Sequence, residues 1–108
     1  MYNRGMKETK RMIVSADRDG RITDIEGDVQ MLGYEPDELI GRDIEAIIPK
    51  RYKERHHSAF DTYLATGKKH VMGSWVEVEA LHKDGRIVPV LLVVTEKSGQ
   101  LRGMVEER

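Results

Sequence analysis

From Arg11 onward apolar and polar residues alternate in short, punctuated runs, whereas Tyr2 to Lys10 form a mostly polar and charged lead-in. That lead-in reads as either a short flanking helix or a disordered segment, so residues 1–10 are taken as a flank and residues 11–108 as the domain. Met12 to Ala16 predicts a strand, Asp17-Arg18-Asp19-Gly20 a turn, and Arg21 to Ile25 its hairpin partner. Residues 27–33 predict a helical turn closed by Gly33. Pro36 opens another that Gly41 ends, and Ile44 to Ile48 a third. One longer helix is expected from Pro49 to Thr66, stopped by Gly67. Two long strands follow, Ser74–His82 and Arg86–Thr95, around the hairpin signal Lys83-Asp84-Gly85. A last strand at Leu101–Glu106 comes after Ser98-Gly99. Strands segregated around a helical middle predict an α+β domain with an antiparallel sheet.

The strand at 86–95 is apolar on both sides. Val88, Val90, Leu92 and Val94 share one face; Ile87, Pro89, Leu91 and Val93 share the other. One face can pack on the helices, and the second needs another cover. The N-terminal segment, a neighbouring domain or a second subunit are the candidates.

Composition narrows the function. At 108 residues the chain fits one domain with a modest core. A 39% hydrophobic, 34% charged balance suits a globular chain rather than a disordered one. A net charge of −1 gives no electrostatic footprint for nucleic acid. No apolar run is long enough to insert in a bilayer, so no membrane insertion by this domain is expected. The absence of cysteine removes disulfides, thiolate metal sites and thiol-linked chromophores, and agrees with a cytoplasmic location.

On the expected helix, Tyr52, Ala59, Phe60, Tyr63 and Leu64 fall on one arc, with His56 near its middle. His56 therefore points toward a core or pocket. It reads either as a core histidine bonded to backbone or water, or as an axial ligand reaching into an apolar cavity. His57 points about 100° away and does not readily share a metal with it. His70 and His82, beside loop and turn residues, read as solvated. Glu77 and Glu79 read as a surface face, and Met12, Met31, Met72 and Met104 as core filler. No phosphate loop or nucleophile elbow is present, so no catalytic residue is assigned and the chain is not read as an enzyme.

Three stretches carry a family likeness: Ala16-Asp17-Arg18-Asp19-Gly20-Arg21-Ile22, Leu32 to Gly41, and Ile47-Ile48-Pro49. With Lys83-Asp84-Gly85 and Val88-Pro89-Val90, they resemble the PAS family over roughly Met12 to Val105. The resemblance implies a five-stranded antiparallel sheet cupping a small pocket, with short helices and one longer helix packed on one face. It also implies an input module for an output domain: a histidine kinase, cyclic-nucleotide enzyme, chemoreceptor or transcription regulator. Glu54-Arg55-His56-His57-Ser58 through Gly67 further resembles the haem-binding FixL-type oxygen sensors. In that likeness His56 is the iron ligand, while Val71, Leu92 and Val94 crowd the opposite side. The FixL-type distal arginine would fall at Val76, and the methionine ligand of related haem phosphodiesterases at Ser74, with Met72 nearby. Haem held there would lack a charged distal donor and favour CO or NO over O2.

The expected cofactor set is thus haem on His56, with Phe60, Tyr63, Val71, Met72, Ser74, Val76, Leu92 and Val94 around it, reading a diatomic gas or redox state. The alternative is a haem-free module acting through dimerisation or a small organic ligand, with a flavin-bound redox sensor as a third, weaker option. A homodimer through the outer sheet face and the N-terminal segment is expected in either case.

Overall fold

A computed structural model describes residues 9–56 and 73–108. Five strands, β1 (Arg11–Ala16), β2 (Ile22–Gly27), β3 (Val76–Leu81), β4 (Ile87–Lys97) and β5 (Gln100–Glu107), form one antiparallel sheet. Its order is β2-β1-β5-β4-β3, so the two halves of the chain meet where β1 pairs with β5. The expected strands are all present, with ends shifted by at most two residues. The β1–β2 turn forms because the Asp17 carboxylate accepts from the amides of Asp19 and Arg21 at 2.9 and 3.0 Å. Gly20 supplies the left-handed residue there, φ 81°.

Between β2 and β3 the chain makes a 3₁₀ turn (Val29–Leu32), the short helix α1 (Pro36–Leu39) and a second 3₁₀ turn (Ile44–Ile47). Residues 50–56 are helical and form α2. Proline opens α1 where its missing N–H costs nothing, and the Glu35 amide donates to the Glu38 carboxylate at 2.8 Å. Asp43 caps the second 3₁₀ turn by accepting from the Glu45 amide. Backbone bonds from Ile22 to Arg42, Gly41 to Ile22 and Ile44 to Gly20 sew this connector onto the start of β2.

Cross-strand pairing fixes which side chains share a face. Met12, Val105 and Leu92 form one inward row, and Val14, Gly103 and Val94 the next. Outward, Ile13, Met104 and Val93 line up in the same way. The core lies on the inward side, where Met12, Ile22, Leu32, Leu39 and Val90 are buried against one another.

His82 corrects the solvated reading. It is half-buried, and its ring occupies the space over Gly33, where an added Cβ would lie 2.4 Å from it. Gly33 also adopts φ 81°, so both conformation and space require glycine there. The Lys83 amide donates to the Leu32 carbonyl beside it, docking the β3–β4 hairpin on the first 3₁₀ turn.

Candidate functional site

A cavity of about 280 Å³ opens between the inward face of the sheet and the helical connector. Val14, Leu92, Val94 and Gly103 contribute from the sheet; Ile44, Ile47 and Ile48 contribute from the connector. Among the described residues, its titratable lining consists of His56 from α2 and Glu79 from β3.

His56 stands where the helical phase put it. Its Nδ1 lies 3.8 Å from the Glu45 carboxylate. Glu45 comes from the second 3₁₀ turn, so the pair ties α2 to the connector.

Glu79 is not a free surface carboxylate, which corrects the sequence reading. It lies on the edge strand and accepts from the Arg51 guanidinium and, at 3.1 Å, from the Tyr52 hydroxyl. The Arg51 hydrogen bond, with that of Tyr52, holds the Glu79 carboxyl below the usual glutamate range. The same bond to Glu79 raises Arg51. This cluster fastens the first turn of α2 to a wall of the cavity.

Of the residues proposed from sequence, His56, Leu92 and Val94 come together in this cavity. Val76 pairs with Leu92 and shares its face at the start of β3, but does not contribute to the described lining. Ser74 is exposed in the bend before β3, because the strand begins at Val76 rather than Ser74. Trp75 is exposed outside the cavity. Phe60, Tyr63, Val71 and Met72 lie outside the described residues, as do His57 and His70. Sequence reasoning missed the β1 and β5 contributions: Val14, Ala16, Leu101 and Gly103. The alternation of β1 pointed to Val14 and Ala16, but only strand pairing brings them beside Leu92. Among the described residues no group of three or more acidic, histidine or cysteine side chains could hold a metal ion. No helix there is long and apolar enough to cross a membrane.

The family model described as the PAS fold matches residues 24–105. The chain belongs to the PAS family. PAS domains are in general sensory rather than catalytic modules. This one is 40% identical over 86 residues to an uncharacterised protein of Azorhizobium caulinodans, covering 78% of the chain and 12% of that protein. It is 36% identical over 67 residues to a probable serine/threonine-protein kinase of Dictyostelium discoideum, covering 62% of the chain and 4% of the kinase. The chain thus spans a small part of the curated relatives it matches.

Among solved structures, the PAS domain of a Colwellia psychrerythraea protein superposes with TM-score 0.69 at 22% identity, over 91% of this chain and 86% of that one. The PAS domain of the Cronobacter turicensis RpfR quorum-sensing receptor, in complex with BDSF, gives TM-score 0.72 at 16% identity, over 94% and 97%. A domain of a Geobacter sulfurreducens sensor histidine kinase/response regulator gives 0.66 at 16%, over 90% and 82%. At these identities the likeness is one of fold.

Haem can be weighed against the same geometry. His56 supplies a suitable donor at the cavity, with Leu92 and Val94 beside it, while Phe60, Tyr63, Val71 and Met72, also expected around the group, lie outside the described residues.

Proposed function

We propose that this PAS domain is the ligand-binding input module of a larger signalling protein, taking a small, mostly apolar organic molecule into the cavity beside His56. The observation that carries the reading is the cavity itself: an apolar chamber on the inward face, with His56 and Glu79 as its titratable groups. Burying an apolar guest there stabilises by about 25 cal/mol per Å² of surface removed from water, and two well-placed polar groups give it an orientation. The Cronobacter PAS domain held in complexes with BDSF and with C12:0 supports a guest of this kind.

The route outward follows from strand alternation. A guest touching Leu92 and Val94 presses on β4, whose Leu91 and Val93 face the other side of the sheet. On that side lies the proposed contact with a second copy or the output domain. A guest that prefers one arrangement of β3 and β4 shifts the balance in proportion to that preference. The output domain is proposed to be an enzyme or regulator of the signalling class. The probable kinase from Dictyostelium and the sensor histidine kinase from Geobacter both contain such a segment.

Haem is the second reading, supported by the position of His56 at the cavity. One experiment separates the two. Protein expressed with a haem supply is examined by visible spectroscopy, and haem-free protein is titrated calorimetrically with octanol. The small-ligand reading predicts no Soret band and a measurable heat of octanol binding. A Soret band that His56→Ala abolishes, without octanol binding, would replace it with haem.

A further inference from the structure

On the cavity side of the sheet one cross-strand row reads Val14, Gly103 and Val94, and all three line the cavity. A glycine within a strand needs a reason, because it gives up more chain entropy than any other residue and packs no side chain. Two usual reasons do not apply. Gly103 is not among the glycines with positive φ, so its backbone does not demand glycine. Nor does neighbouring backbone press on it. An added Cβ would meet the Leu92 Cδ1 at 3.3 Å and the Val14 carbonyl oxygen at 4.0 Å. At Gly27, by contrast, it would lie 2.5 Å from the Arg11 carbonyl oxygen. What the absent side chain leaves at position 103 is bare backbone on the cavity wall, with the Leu92 side chain close beside it.

We propose that Gly103 sets the size of guest this domain accepts. The inference rests on the cavity being a ligand site and deepens it. The guest class is an organic molecule with a slender or flat apolar part, laid across Val14, Gly103 and Val94. Opposite stand Ile44, Ile47 and Ile48 of the connector. Any larger side chain at 103 projects into the volume that the apolar part occupies. The pressure then falls first on Leu92, the side chain nearest the new Cβ.

The test is a calorimetric titration with hexanol, octanol and decanol on the wild type, Gly103→Ala, Gly103→Val and the outward-facing control Met104→Ala. Folding of each is checked by circular dichroism and thermal melting. Gly103→Val should weaken the longest alcohol by about tenfold or more while sparing the shortest, a change on the scale of methylenes in a tight pocket. Gly103→Ala should shift the profile in the same direction by less, since only the Leu92 methyl must yield. Met104→Ala should leave it unchanged. If Gly103→Val does not fold, the Ala variant decides. Wild-type binding with an identical chain-length profile in a folded Gly103 variant would overturn the role of Gly103 alone. Failure of the wild type to bind any of the alcohols would overturn the ligand-site reading and this inference with it.

Discussion

At the β2–β1 end of the inward face, Ile22 and Leu39 are sealed from solvent and packed on Met12. At the β3–β4 end, Val78, Leu92 and Val94 stay half-buried around a cavity. Both regions rest on one continuous antiparallel sheet, so the difference lies in what covers it. The first is covered by connector side chains that fill the space, sewn down by backbone hydrogen bonds. The second is spanned by α2 through the polar contacts of Arg51, Tyr52 and His56. The packed end supplies stability, and the open end is where the proposed guest would sit.

The largest contrast should come from truncating one leucine at each end. Leu39→Ala, in the filled region, should cost about 2–5 kcal/mol by chemical denaturation. Leu92→Ala, half-buried beside existing space, should cost less than that and widen the cavity toward larger guests. Equal costs at the two sites would erase the distinction between the regions.

A smaller effect should follow acidification. Glu38 on α1 is held below the ordinary glutamate value, chiefly by its hydrogen bond from Lys83 of the hairpin. A depressed carboxyl contributes stability above its unfolded value, and that contribution is lost as pH falls through its folded value. The melting temperature of the wild type should therefore drop on acidification through and below the ordinary carboxylate range. In Lys83→Met this part of the drop should shrink, whereas an identical pH profile would remove the pair from the account.

The smallest effect is expected on the outer side. Ile87→Ser, at an exposed position where β4 begins, should change stability by no more than about 0.5 kcal/mol. Leu91→Asp should likewise leave the fold intact while dissociating a homodimer in sedimentation velocity. A dimer unaffected by Leu91→Asp would move the proposed contact off this face.

Much of this division was legible in the chain. The alternation along β4 separated Leu92 and Val94 from Leu91 and Val93, and the helical phase of α2 aimed His56 inward. Turn residues such as Asp17 and Gly20 marked the hairpins. What was not legible depends on partners distant in sequence. His82 looked solvated beside its turn, because its cover is the bare backbone of Gly33. Glu79 looked like surface, because the groups that bind it, Arg51 and Tyr52, come from a helix far along the chain. Ser74 was assigned to a strand that begins two residues later, since local propensity blurs strand ends. The cavity arises from packing, and no motif encodes it.

The central claim is a small guest on the inward face, and methyl-resolved NMR with octanol tests it most directly. The account predicts that the methyls of Val14, Leu92, Val94 and Leu101 shift on titration, with smaller changes at Leu91 and Val93 across the sheet. Shifts confined to Leu91 and Val93, or spread evenly over both faces, would contradict it.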